Sequence, residues 1–338
     1  MHRPPVAATP MAFVRAMLLG YEKYGIDPSA ALREAQITPS QLRKPDARIT
    51  AAQMETISAF AMQELDDEAL GWFSRRLPWG TYGMLCRASV SAPNLGVALK
   101  RWCRHQGLLV DDVALQLAVS GDTARYTIAE HRRFGAMREF CLVTLLRAVH
   151  GFACWAIDSR IPLTAVDFPF AAPPHRDVYP LLFPGPVRFD AAQCGFAFDA
   201  EYLAMPLRRD ERALRAMLQR ALPLTVLQYR RDRLLVQRVR ELLRAGGGPA
   251  HTADTLAAAL HMSTRSLHRQ LRDEGAALQP LKDEVRRELA VERLQRTDRP
   301  VKQIAREAGF ANEKSFARAF RLWTGETPSA LRGRRGPP

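Results

Sequence analysis

Two hydrophobic rhythms alternate along the chain. From about residue 11 to 109, apolar positions return every three to four residues between polar turns, which predicts helices. "GIDPSAALREAQI" predicts a helix start, with Pro28 in the first turn and Asp27 as cap. The stretch "LPWGTYGML", ending at Leu85, is punctuated by Pro and Gly and predicts a loop. "SAPNLGVALKRWCRHQGLL" then opens on a Ser/Asn turn and becomes helical. At Val113 the period drops to two. Val113, Leu115, Leu117 and Val119 alternate with polar or small residues, a Gly-Asp turn follows, and Tyr126 and Ile128 alternate with Arg125 and Thr127. This is a β-hairpin pattern. A long apolar helix over about 136–157 and a Pro-rich segment of strands with a short helix complete an α+β region of roughly 205 residues. From Arg208 the pattern is helical and basic, broken at "AGGGPA" and then continued as short helices.

The last third contains a repeat. In "LAAALHMSTRSLHRQL" and "IAREAGFANEKSFARAF", Leu256 matches Ile304, Ala257 matches Ala305, Leu260 matches Ala308 and Met262 matches Phe310. Each copy reads as a short helix, a tight turn and a second helix started by a capping residue, Ser263 or Asn312, the second turn being one residue longer. At 100° per residue, Leu267 and Leu271 mark the buried side of one second helix, and Phe316 and Phe320 that of the other. Arg265, Arg269 and Arg272 fall opposite in the first copy; Lys314, Arg318 and Arg321 take the same angular positions in the second. A single basic face is most often just solvated. Two in register describe a duplicated helix-turn-helix, whose outward side chains can reach base edges and phosphates. "LQPLKDEVRRELAVERLQRT" between the copies predicts a helix about 30 Å long. That approaches the ~34 Å turn of B-DNA and could set the two reading helices into successive major grooves.

Charge supports this placement. Of the 338 residues, 49 are Lys or Arg and 35 are Asp or Glu, a net +14, which favours an anionic partner. Residues 207–244 hold +7 of this and residues 245–338 hold +6, leaving +1 for the first 206. The five cysteines have no C-x-x-C spacing, which argues against a disulfide framework or a zinc site and fits a reducing cytoplasm. No N-terminal signal peptide is expected, because Arg15 interrupts the apolar stretch and no small-residue cleavage site follows it. No run was expected to supply the roughly 18 apolar residues of a membrane span.

"GFANEKSFARAFRLWTGETPSALR", "PVKQIAREAGF" and "TADTLAAALHMSTRSLHRQLRDEG" together resemble the DNA-binding domain of AraC/XylS-type transcription regulators over about residues 229–336. By that resemblance "YRRDRLLVQRVRELLRAG" is the domain's first helix, and DNA-facing positions fall on Arg265, His268, Arg269, Glu313, Lys314 and Arg318. Ala311 departs from the pattern, where a polar residue is common, and Asn312 is expected to start the helix instead. "YGIDPSAALREAQI", "LPWGTYGMLCRASVSAPNLGVALKRWCR" and "VRFDAAQCGFAFDAEYLAMPL" resemble the ligand-binding and dimerisation domain of the branch with an arabinose-binding-type N-terminal domain.

The resulting expectation is an α+β effector-binding and dimerisation domain over 1–206, a basic helical linker over 207–228, and an all-α DNA-binding domain over 229–338 with two helix-turn-helix units joined by a long helix. The resemblance implies a cytoplasmic, homodimeric, small-molecule-responsive activator of a catabolic or metabolic operon. Its partners would be double-stranded promoter DNA, RNA polymerase and an effector such as an amino acid or fatty acid. Trp79, Tyr82, Arg87, Trp102, His105 and Arg125 bring aromatic and cationic groups near one another and suggest a pocket for a small carboxylate. No catalytic residue, metal ligand or cofactor is expected: His105, His131, His150 and His175 lack ligand spacing, and nothing local activates Cys141. The rival from another class is a nucleic-acid-modifying enzyme with a DNA-binding tail, which stoichiometric metal in purified protein would favour.

Overall fold

The computed structural model describes residues 9–219, 234–245, 252–297 and 299–333. Most of the glycine break over 245–250, and the remainder of the segment over 220–233, lie outside the described residues. The chain divides into two compact units, Met1–Arg230 and Arg231–Pro338.

The first unit begins with a short strand β1 (Thr9–Pro10) and helix α1 (Met11–Tyr24), followed by α2 (Ser29–Glu34), α3 (Pro39–Arg43), strand β2 (Arg48–Ile49) and α4 (Ala51–Glu64). β1 and β2 pair antiparallel. Thr38 and Thr50 start α3 and α4 with capping boxes completed by Gln41 and Gln53. At α2 the backbone cap is Pro28, while Asp27 turns its carboxylate to the Ser29 backbone and hydroxyl. Helix α5 (Thr81–Val90) starts inside the stretch expected to be a loop. Gly80, in the left-handed region at φ 102°, makes the turn, so only the residues before Thr81 are loop. α6 (Leu95–Leu109) is capped by Asn94.

The hairpin forms as β3 (Val113–Ser120) and β4 (Thr123–Glu130), with Ser120 opposite Thr123 across Gly121-Asp122. After α7 (Arg138–Ala156) come β5 (Ala165–Asp167), α8 (Tyr179–Leu182), β6 (Val187–Arg188) and β7 (Cys194–Asp199). The sheet order is β3-β4-β7-β5-β6, antiparallel except between β5 and β6. β7 crosses its centre and is buried along both faces. The helical stretch Gly135–Ala156 is long and apolar enough to span a bilayer, contrary to expectation, but 78% of its most apolar window is buried inside the protein. It is the core helix of this unit. The last described helix of the unit is α9 (Glu211–Leu218), capped by Asp210 and packed on α5. This part of the segment expected to be a linker therefore belongs to the domain's packing.

The second unit is helical: α10 (Leu234–Ala245), α11 (Ala253–Ala259), α12 (Thr264–Asp273), α13 (Leu278–Arg296), α14 (Val301–Glu307), α15 (Glu313–Thr324) and α16 (Pro328–Gly333). It has two small cores sharing one spine. Leu278, Leu281 and Val285 at the start of α13 pack with Val239, Leu256, Leu267 and Leu271. Ala290 and Leu294 at its end pack with Ile304, Phe316 and Phe320.

Candidate nucleic-acid interface and effector pocket

The repeat seen in the sequence is a repeat of backbone geometry. In the first copy Leu260 N donates to Leu256 O, His261 N to Ala258 O and Met262 N to Ala257 O; Ala308, Gly309 and Phe310 donate to Ile304, Arg306 and Ala305 in the second. Both turns pass through a left-handed residue at the same place, His261 (φ 53°) and Gly309 (φ 85°). The reading helices then start one residue out of step. Ser263 Oγ accepts from Ser266 N at 3.1 Å and Asn312 Oδ1 from Ser315 N at 2.8 Å. Asn312 is thus the cap, as the departure at Ala311 suggested.

Leu267, Leu271, Phe316 and Phe320 are buried at 0–1% exposure. Arg265, His268, Arg269, Arg272, Glu313, Lys314, Arg318 and Arg321 are all exposed, and the six Lys and Arg among them lie on the side of α12 and α15 opposite the buried pairs. None of the six basic side chains among them makes an ion pair or hydrogen bond among the described residues. The arginines of the neighbouring helices behave differently. Arg240 bonds to Glu284 and Glu288, Arg244 to Glu288, and Arg293 and Arg299 to Glu307. These four arginines are neutralised within the unit, whereas the six cations of α12 and α15 face outward without an acidic partner among the described residues. Sequence reading passed over Leu322, next to Arg321 on α15 and 86% exposed, because a lone leucine carries no pattern.

In the first unit a cavity of about 230 Å³ lies behind α5, far larger than the ~10–15 Å³ one water needs. Trp79, Tyr82 and Trp102, three of the six candidate side chains, line it. Arg87, His105 and Arg125 do not: Arg87 pairs with Glu211 at 3.0 Å, Arg125 with Asp167 at 3.0 Å, and His105 lies outside the lining. No Lys, Arg or His is among the described lining residues, so the expected cationic carboxylate pocket is corrected to a mainly apolar one. On β4 the pleat turns Arg125 away from the side on which Tyr126 is buried, and on α5 Arg87 is drawn to Glu211 at the start of α9.

Three consecutive carboxylates hold the loop beside the cavity, and of them Glu68 lines it. Asp66 accepts from Trp79 N (3.0 Å). Asp67, fully buried, accepts from Ala69 N, Gly71 N, Leu77 N and the Tyr24 hydroxyl. Glu68 accepts from Gly80 N (2.7 Å) and Tyr82 N (2.5 Å) at the start of α5. Burial raises the Glu68 pKa in spite of those two bonds, and the neighbouring acids add to the rise. Trp72 Nε1 and Gln106 Nε2, on lining side chains that are 4% and 3% exposed, are buried without a hydrogen-bond partner. The Tyr82 hydroxyl meets the Cys86 thiol, a weak partner, and burial raises both groups' pKa. Cys141 is fully buried, and burial pushes its thiol well above the range in which a thiolate nucleophile forms.

Two family models match the chain. One, described as the arabinose-binding domain of the AraC transcription regulator, N-terminal, covers residues 25–207; the other, a helix-turn-helix domain, covers residues 256–334. The chain is 28% identical to an ornithine utilization regulator of Pseudomonas aeruginosa over 324 residues, 96% of each chain. It is 26% identical to the helix-turn-helix regulator VqsM of the same organism over 264 residues, 74% of this chain and 79% of that one. Among solved structures, the regulator CdpR from Pseudomonas aeruginosa aligns with 90% of this chain and 96% of its own, at 21% identity and a TM-score of 0.35.

Proposed function

The chain belongs to the AraC family of transcription regulators, and from that premise we propose that it regulates its promoter in response to a small molecule. In this reading α12 and α15 enter successive major grooves of one face of a promoter duplex. Arg265, Arg269, Arg272, Lys314, Arg318 and Arg321 supply phosphate and base contacts, with His268 and Glu313 at base edges. The observation that carries it is the two basic faces, whose Lys and Arg side chains make no ion pair among the described residues, while Arg240, Arg244, Arg293 and Arg299 of the same unit are paired with Glu284, Glu288 and Glu307. The first unit senses the effector and dimerises, and the protein works in the cytoplasm as an activator that recruits RNA polymerase. The ornithine utilization regulator to which it is similar favours a catabolic or metabolic operon as the target.

The test is a gel-shift titration of the full-length protein on the DNA upstream of its own gene and its neighbours, against an unrelated duplex of equal length. Specific binding is expected to exceed non-specific binding by about a thousandfold or more at physiological salt. Equal affinity for both duplexes would overturn the reading.

A further inference from the structure

The cavity behind α5 combines an apolar wall, two buried donors without acceptors and a negative rim. We propose that it is the effector site, that it takes an uncharged, mainly apolar molecule bearing an oxygen acceptor such as a ketone or ester carbonyl, and that α9 carries its occupancy towards the DNA-binding unit. This rests on the regulator reading above and deepens it.

The ligand class follows from charge and hydrogen bonding. Trp72 Nε1–H can only donate, and the amide nitrogen of Gln106 likewise; both belong to lining side chains but have almost no accessible surface themselves, so in this proposal each meets the ligand after a small turn of its side chain. A buried donor left unmade costs free energy, and a carbonyl oxygen would recover it for either group. An ammonium brings only donors and leaves both unmet. A carboxylate brings acceptors, but no cation lines the cavity to hold its charge, and Asp66, Asp67 and Glu68 stand in its wall or beside it. Those carboxylates already accept from the backbone of residues 69–82, so they offer a ligand carboxylate no donor. A neutral acceptor with an apolar body satisfies the donors and meets no repulsion.

The coupling follows from what closes the cavity. Leu218, the last residue of α9, is part of its lining. Gly83 on α5 allows the approach: a methyl group there would stand 3.1 Å from Leu218 Cδ1. One turn further along α5, Arg87 pairs with Glu211 at the other end of α9. Leu214 and Met217 bury the face between. α9 therefore touches the ligand space at its C-terminal end and is tied down at its start. It is also the last described helix before the second unit in the chain. A molecule against Leu218 changes how firmly α9 is seated.

Three eight-carbon probes separate the possibilities: 2-octanone, octanoate and octylamine, each titrated into the full-length protein. The readout is tryptophan fluorescence, since Trp72, Trp79 and Trp102 line the cavity. Saturable binding of 2-octanone is expected, with octanoate and octylamine at least about tenfold weaker. Gln106→Leu should weaken the ketone by about tenfold, the effect of one hydrogen bond; Trp72→Phe, which keeps the ring and deletes the N–H, serves if the first variant melts early. Hydrogen exchange over residues 211–218 should slow under saturating ketone. Equal or tighter binding of octanoate or octylamine overturns the ligand class. Unchanged exchange in α9 overturns the coupling, and binding of no probe overturns the site. A protein that binds its promoter and none of the probes loses this inference and keeps the regulator reading; one that binds the ketone and no promoter does the reverse.

Discussion

Arg269 and Arg318 occupy equivalent places on the two reading helices, exposed and opposite the buried pairs Leu267/Leu271 and Phe316/Phe320. Arg269→Ala and Arg318→Ala should each weaken operator binding by about 1–3 kcal/mol and relax preference at one base position. Neither touches a core, so their melting curves should overlay the parent's; unchanged affinity in both would remove α12 and α15 from the groove. His150 sets a different expectation. It is 2% exposed, donates from Nε2 to Ile161 O at 2.9 Å and lies beside Arg147. Burial first, then the Arg147 charge, lowers its pKa to about 3. The unfolded histidine titrates near ~6.5, so below that pH the unfolded state binds the proton the folded state refuses. Stability from this group is complete above about pH 6.5 and falls as pH drops towards about 3. His150→Gln should flatten that limb: its urea midpoint should fall less between pH 7 and pH 5 than the parent's, and parallel losses would show that other groups govern the acid side.

At the scale of elements, the second unit depends on α13 and the helices seated at its two ends. Phe316 and Phe320 are wholly buried, with ring centroids 5.5 Å apart, and pack with Ala290 and Leu294 of α13. Phe316→Ala or Phe320→Ala opens a cavity in this small core and should cost about 3–5 kcal/mol, read as a lowered melting temperature of the second unit. A native melt in either variant would contradict the packing. The two turns solve one geometric problem with different residues. Gly309 reaches the left-handed region freely, whereas His261 adopts it under the same hydrogen bonds. The helix period and the caps were legible in the sequence because they are local properties. The start of α5 at Thr81 was not, because Pro78, Gly80 and Gly83 imitate a loop, while the helix is held from outside by Glu68.

For the whole molecule, residues 229–338 are expected to fold and bind DNA without the first unit, though more weakly than the full chain. The division into two compact units and the concentration of positive charge in the C-terminal part motivate this. Four phosphate contacts would lower its DNA affinity about a hundredfold between 50 and 200 mM salt. A folded fragment that ignores DNA at 50 mM salt would show that the interface needs the rest of the protein.

The order of periods along the chain, the duplicated motif, its caps and its outward charges were determined by the sequence alone. Within each copy these are relations between residues within about four positions, where the 3.6- and 2-residue repeats decide which side chains share a face, and the duplication shows as the same local pattern recurring about 48 residues on. The cavity behind α5 was a tertiary decision. Trp79, Tyr82 and Trp102 were visible as aromatic candidates, but which neighbours share their space depended on how α5, α6 and the loop before them fold over one another. The run Asp66-Asp67-Glu68 reads in one dimension as a solvated acidic surface. In three dimensions its carboxylates accept from backbone N–H groups as far away as Tyr82 and shape the cavity wall. Backbone donors carry no sequence signature, so partners of this kind emerge only when the chain has folded.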